Sequence, residues 1–274
     1  MTLQLTYRGE TTVPVEVEGL TPDWAADKTV AAIERFEILH GNHRVPLAEM
    51  FKVSGDAGDR NLVIEGNLAG VHWIGAQMSS GKIHVRGAAG RHVGSRMKGG
   101  SIVVEGDAGD WLGAEMRGGL IHGKGNAGHL VGAAYRGSAR GMTGGTILID
   151  GDVGNEPGHS MRRGLIAVGR AAGDMLGFNM IAGTIFVFGE CGIRPGAGMR
   201  RGTIGLLGPK PPKLLPSFRY ACTSQLPFMR LLLHRLSTQG FPVDPALMAA
   251  EFDLHHGDMI SLGRGEILFR HVAA

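Results

Sequence analysis

Three successive stretches decide the fold: GAQMSSGKIHVRG (Gly75–Gly87), GSRMKGGSIVVEG (Gly94–Gly106) and GAEMRGGLIHGKG (Gly113–Gly125). They share the frame G-x-x-M-x-x-G-x-I-x-V-x-G, with Gly123 standing at the valine place of the third. Followed along the chain, the frame returns methionine at Met78, Met97, Met116, Met142, Met161, Met180 and Met199, spaced 19, 19, 26, 19, 19 and 19. Five residues after each Met comes an isoleucine: Ile83, Ile102, Ile121, Ile147, Ile166, Ile185 and Ile204. Self-similarity at a fixed period is the signature of a repeat architecture.

The period selects among repeat architectures. Helical repeats need about 33 residues or more, and leucine-rich repeats carry a leucine signature absent here. Nineteen residues make about one coil of a β-solenoid. The I-x-V alternation is that of a strand with one face buried, and glycine at fixed steps supplies positive φ at the corners. The expected fold is all-β: a single-stranded right-handed β-helix of about seven 19-residue coils, with Ile on Ile and Met on Met, between small caps containing short helices. The 26-residue interval holds seven extra residues around Ala133–Arg140, an insertion bulging from one edge. Residues 1–50 read as an N-terminal cap, 51–208 as the repeat domain and 209–274 as a Pro-rich linker with a C-terminal helical and strand cap. In the first cap, Thr21-Pro22 starts a helix that Ala25–Phe36 continues. In the second, Pro227 opens a helix to about Thr238, with Phe228, Leu231, Leu232 and Leu236 as its apolar stripe. Residues 265–270 read as a last strand.

Composition narrows the function. Glycine, at 46 of 274 residues, is far above ordinary usage, yet apolar residues run evenly through it, which argues against disorder. A net charge of +3 is too small to argue for nucleic acid. Cys191 and Cys222 are isolated, with no metal-ligand spacing and no disulfide framework, which fits a reducing compartment. Charges at Arg8, Glu10, Glu16 and Glu18 exclude a signal peptide's apolar core, and no apolar run reaches the length of a membrane span. The chain is expected in the cytoplasm, away from membranes.

No catalytic and no metal-binding residue emerges from the repeat. Gly123–Gly128 matches G-x-G-x-x-G, but its place in every other unit is a corner turn, not a strand-to-helix junction. His84 and His122 share a column two coils apart, roughly 10 Å, too far for one metal ion. His92 shares a column with Trp73 and Trp111, which suggests packing. Asp107, Asp152, Asn67 and Asn126 follow a corner glycine, a turn role. Two surface features do suggest function. Lys98, Arg117, Arg162 and Arg200, thickened by Arg163 and Arg201, form a basic column that is either a solvated face or a strip for an acidic partner or polyanion. Val103, Leu148 and Phe186 lie opposite the Ile column, so a terminal cap or another subunit should cover them.

The repeat array, preceded by ERFEILHGNHRVPLAEMFKVSG (Glu34–Gly55), resembles the C subunit of formylmethanofuran dehydrogenase over about residues 28–208. The repeat alone is also similar to the C-terminal domain of glutamate synthase, a non-catalytic right-handed β-helix. The resemblance implies a scaffold subunit, with the chemistry in its neighbours. In the bacterial formyltransferase/hydrolase complex these are an amidohydrolase-like A subunit holding zinc, a B subunit and the formyltransferase, or D, subunit. That complex moves formyl from formyl-tetrahydromethanopterin to a methanofuran analogue and releases formate. The alternatives are the C subunit of a tungsten or molybdenum dehydrogenase, or a glutamate-synthase-like module. An enzyme in its own right would need a cluster of acid, base and cation residues that the repeat lacks.

Overall fold

The computed structural model describes residues 2–271. The chain is mostly β, built on one thirteen-stranded sheet with a second sheet of four strands. From Asn61–Glu65 to Arg201–Leu206 the main-sheet strands pair in parallel, each with the same segment of the next repeat unit. Each repeat unit thus contributes one rung. The register places Ile83, Ile102, Ile121, Ile147, Ile166, Ile185 and Ile204 in one unbroken column. All seven are essentially inaccessible, as are the seven repeat methionines. Identical apolar side chains thus stack directly, and no rung buries its own face alone.

A second ladder closes the other side of each rung through single bridges: Leu68, Ala89, Ala108, Ala127, Val153, Ala172 and Cys191. Cys191 is therefore a small packing residue. Between the ladders the backbone turns left-handed, and two glycines show why the frame demands that residue. At Gly119 φ is +90°, and a Cβ would lie 2.7 Å from the Gly100 carbonyl oxygen of the rung before. At Gly75 a Cβ would lie 2.5 Å from the Ile102 side chain, so this glycine makes room for the isoleucine column.

Side chains at the corners bind the rungs together. Asp107 accepts from the Asn126 N–H at 2.7 Å, Asn126 from Asp152 N–H at 2.9 Å, and Asp152 from Ala171 N–H at 2.8 Å. A parallel line runs through Asp110, His129, Asn155 and Asp174, each accepting from the N–H one rung on. These residues answer backbone donors that the corner leaves unpaired. The G-x-G-x-x-G match sits on such a corner, where a Cβ at Gly125 would lie 2.7 Å from the Gly106 backbone.

Both ends are finished by strands from distant sequence. Leu3–Tyr7 lies parallel to Asn61–Glu65 and sets Leu3 beside Leu62, below the isoleucine column. Phe51–Ser54 then pairs antiparallel to it. At the far end Arg264–Arg270 lies parallel to Arg201–Leu206 and places Ile267 next to Ile204. Phe252–Gly257 and Arg219–Ser224 follow antiparallel. The single helix expected from Thr21 to Phe36 is two short ones, Pro22–Ala25 and Val30–Glu34. Thr29 interrupts it because its side chain accepts from the Ala32 N–H and starts a new helix.

The helix Pro227–Thr238 lies over the outer face of the main sheet. Its buried side chains are Met229, Leu233 and Leu236, while Leu231 is 72% exposed and Phe228 sits at the margin. Of the stripe expected from the sequence, Leu236 is buried and Leu232 packs partly against the core, while Phe228 and Leu231 are exposed and Met229 and Leu233 take the buried places. The helix, with Phe241, Leu247 and Phe252, closes a second core around Leu148, Leu165, Ala167 and Phe186. Phe186→Ala is expected to remove about 3–5 kcal/mol of stability, the usual range for a buried aromatic, and Leu231→Ala about 0.5 kcal/mol or less. Urea denaturation midpoints of the two variants check the contrast.

Candidate functional site

The basic column is real as backbone geometry. From Lys98 onward, the residue following a repeat Met donates its N–H to the carbonyl of the preceding rung's Met: Lys98 to Met78, Arg117 to Met97, Arg162 to Met142 and Arg200 to Met180. Only part of the column lines one cavity. Arg117, Arg162 and Arg163 line a cleft of about 480 Å³ together with Arg140, Ser138 and Thr143. Lys98, Arg200 and Arg201 do not line it, and Arg201 instead sits in register beside Arg264. Arg140 falls outside the repeat frame; its place in the insertion, two residues before Met142, is the signal that the sequence offers for it.

The insertion is held by an aromatic column. The Trp73 and His92 rings stack at 4.1 Å between centroids, Trp111 follows, and the Tyr135 ring from the insertion packs on Trp111 at 4.9 Å. The Tyr135 hydroxyl donates to Ser95 Oγ at 2.8 Å, so its oxygen accepts from His92 Nδ1–H at 3.0 Å. Burial, reinforced by His72 and Arg91 and opposed by Asp110, pushes His92 down to about 4, which keeps the ring neutral. Burial also raises the Tyr135 phenol, which keeps its donor proton. Arg96 lies over the Tyr135 ring at 5.2 Å and pairs with Glu115 at 3.0 Å.

The loop's feet are fixed by backbone. Ala134 N–H donates to His159 O, Gly141 N–H to Ser160 O and Met142 N–H to Gly132 O. Glu115 is the one carboxylate lining the cleft. Burial disfavours its charge, but hydrogen bonds from Ser138, Arg96 and the Tyr135 N–H outweigh this and hold its carboxyl below the usual range. Among the described residues, none of Arg117, Arg140, Arg162 and Arg163 is ion-paired.

The apolar trio divides. Leu148 and Phe186 are fully buried beneath the helix Pro227–Thr238, so they are not available to another subunit. The chain covers them itself, because a strand apolar on both faces must be covered on both. Val103 stays half-buried, in register between His84 and His122, in a shallow depression with Val63 and Glu105. His84 pairs with Glu105 at 2.6 Å, and His122 with Asp150 at 2.8 Å. Among the described residues, no group of three or more His, Cys, Asp or Glu is placed to hold a metal ion.

No family model matches the chain. Over 93 residues it is 40% identical to the C subunit of the tungsten-containing formylmethanofuran dehydrogenase 2 of Methanothermobacter wolfeii, covering 32% of this chain and 34% of that protein. Over 85 residues it is 41% identical to the C subunit of the molybdenum-containing formylmethanofuran dehydrogenase 1 of Methanosarcina barkeri, covering 30% of this chain and 28% of the relative. The matched segment thus spans about a third of those curated relatives. The structural likeness runs end to end. A chain in the crystal structure of the formyltransferase/hydrolase complex (FhcABCD) from Methylorubrum extorquens, solved with methylofuran, superposes with a TM-score of 0.91 at 34% identity, covering 98% of this chain and 100% of that one. The chain belongs to the family of formylmethanofuran dehydrogenase C subunits. Within this C subunit the arginine cleft gathers Arg117, Arg140, Arg162 and Arg163 in one lining, and the insertion supplies part of its wall.

The neutral His92 has a consequence for stability. Its pKa lies near 4 in the folded state and at the ordinary 6.5 when unfolded, so between these values the unfolded chain binds more protons. The stability it contributes is present above pH 6.5 and is lost as pH falls towards 4. Thermal unfolding midpoints should fall across that window, and His92→Phe, which keeps the stack but cannot titrate, should flatten the fall. An equal slope in both proteins would place the effect elsewhere.

Proposed function

We propose that the chain is a non-catalytic scaffold subunit of a formyltransferase/hydrolase complex. Such a complex transfers formyl from formyl-tetrahydromethanopterin to a methanofuran analogue and releases formate. The observation that carries this reading is the full-length likeness, at 34% identity, to a chain of a complex solved with methylofuran. In this reading the amidohydrolase-like A subunit, with its zinc, the B subunit and the formyltransferase, or D, subunit supply the reactive groups, in the cytoplasm. The long, regular sheet supplies a rigid surface against which they are held. A second reading, the C subunit of a tungsten or molybdenum dehydrogenase, draws on the 40% and 41% identities over about 90 residues.

The scaffold itself is proposed to wind as a single-stranded right-handed β-helix over residues 51–208, capped by residues 1–50 and 209–274. The support is the unbroken parallel register, 19 residues per step apart from the first step and the one that carries the insertion, since crossovers between parallel strands of one sheet are overwhelmingly right-handed.

Gentle affinity purification from native cytoplasm, with mass spectrometry and metal analysis, tests the assignment. Recovery with an amidohydrolase-like chain and a formyltransferase, with zinc and without tungsten or molybdenum, is expected. Recovery with a metal-pterin subunit and ferredoxin-like chains would move the protein to the dehydrogenase. Recovery of the chain alone with activity of its own would overturn the scaffold role.

A further inference from the structure

We infer that the outermost strand of the main sheet, Arg219–Ser224, is a docking edge that takes an extended acidic segment of a partner protein as its next strand. The inference rests on the reading that the chain works inside an assembly, and it names the surface and the kind of partner. The first ground is the edge itself. Arg219–Ser224 ends the thirteen-stranded sheet and pairs on one side only, with Phe252–Gly257. Four of its six residues, Arg219 to Cys222, are exposed. A free strand edge presents unpaired N–H and C=O groups, and proteins commonly blunt it with charge or cover it. The opposite edge, Phe51–Ser54, shows that treatment. It is shorter, its exposed residue is Lys52, and the helices Val30–Glu34 and Leu47–Met50 pack against it. No helix packs comparably against Arg219–Ser224 among the described residues.

The second ground is the apolar surface on either side. A strand added here sends alternate side chains to opposite faces of the sheet. On one face a groove of about 670 Å³ is lined by Leu226, Met229, Leu231 and Met248. On the other a depression of about 620 Å³ is lined by Pro212, Leu214, Tyr220 and Phe269. Tyr220 and Leu231 belong to the large apolar side chains left exposed, and of those only Val13 precedes Ile193 among the described residues. Strand addition of this kind draws affinity from main-chain hydrogen bonds and specificity from pockets for alternate side chains.

The third ground is charge, and it selects the occupant. From Cys191 to Val243 the chain has no Asp or Glu but eight Lys and Arg, while the remainder sets the other 20 Lys and Arg against all 25 Asp and Glu. Within this tract Arg219 lies on the edge, Arg230 lines the groove, and Lys210 and Lys213 accompany the prolines that wall the depression. All four are exposed, and among the described residues none is ion-paired. Complementary charge across an interface selects partners, and like charge rejects them. A second copy would bring the same four cations and the same bulge at Ala221. A lipid surface would answer the charge but not the N–H and C=O groups of the strand. An acidic strand of another protein answers both.

Hydrogen exchange and cysteine alkylation compare the chain produced alone with the same chain in the assembly purified gently from native cytoplasm. Cys222 is exposed and reports on the edge, while burial, reinforced by Asp174, pushes the Cys191 thiol up to about 12 and keeps it unreactive. In the assembly, amide exchange across residues 219–224 is expected to slow by about tenfold or more, and iodoacetamide to label Cys222 more slowly. Carbodiimide, which joins carboxylates to lysine, should link Lys210 or Lys213 to Asp or Glu of the partner. Lys210→Glu with Lys213→Glu should lower the fraction of chain found in the assembly by about tenfold. Lys28→Glu with Lys52→Glu, the same charge change at the other end, should not; equal losses overturn the inference by reducing it to net charge. An assembly in which residues 219–224 exchange as fast as in the chain alone also overturns it, and leaves the scaffold role standing. A protected edge linked to the chains of a different complex supports it and moves the scaffold assignment instead. Slowed exchange in the chain alone with a doubled mass assigns the edge to a second copy, and slowing on addition of phosphatidylglycerol vesicles assigns it to a lipid surface; either overturns the inference. Recovery of the chain alone with a free edge overturns both readings. Far-ultraviolet circular dichroism confirms that each variant is folded.

Discussion

Every part of this molecule depends on one constraint: a rung hydrogen-bonds to its neighbour in a register 19 residues long. Once that register is fixed, like must lie on like. Isoleucine covers isoleucine, methionine covers methionine, and the corner Asp and Asn residues meet the unpaired N–H of the next corner. The same constraint determines where variation is tolerated. A residue added inside a strand would shift a whole column onto the wrong face. The seven-residue insertion lies instead at a corner, so Leu120 still pairs with Thr146 as if nothing intervened.

The all-β character, the buried columns and the site of the insertion are legible in the sequence because periodicity is a one-dimensional signal. What escapes it is whatever joins segments distant in the chain. Nothing in the period reveals that Leu3 extends a column through Leu62, or that Ile267 extends it beyond Ile204. The covering of Leu148 and Phe186 can be foreseen in kind, but the covering surface, a helix using Met229, Leu233 and Leu236, requires the tertiary arrangement. The split of the first helix at Thr29 is a local contest in which a capping side chain prevails over continued propensity.

The candidate site is half legible. Arg117, Arg162 and Arg163 follow from the repeat frame, because their positions relative to Met fix their column. Arg140 and Tyr135 stand outside the frame, and their partners are set by how an irregular loop folds back. The aromatic column reads as packing, and it is packing; its further role is to give that loop a fixed seat. A neutral histidine hydrogen-bonded to a tyrosine suits that task, since a charged ring would have to be stripped of water in the column.

The antiparallel strands at the two ends of the main sheet bear on the length of the molecule. A stack of parallel rungs ended bluntly would present, at each end, the hydrogen-bond pattern that its own next rung requires. Two such molecules would be mutual templates, and an open-ended filament would follow. Here the outermost strands, Phe51–Ser54 and Arg219–Ser224, run against the strands inside them. The terminal edge therefore offers neither the direction nor the spacing that another parallel rung needs. The reversal of strand direction is what makes an indefinitely extendable pattern into a molecule of finite length.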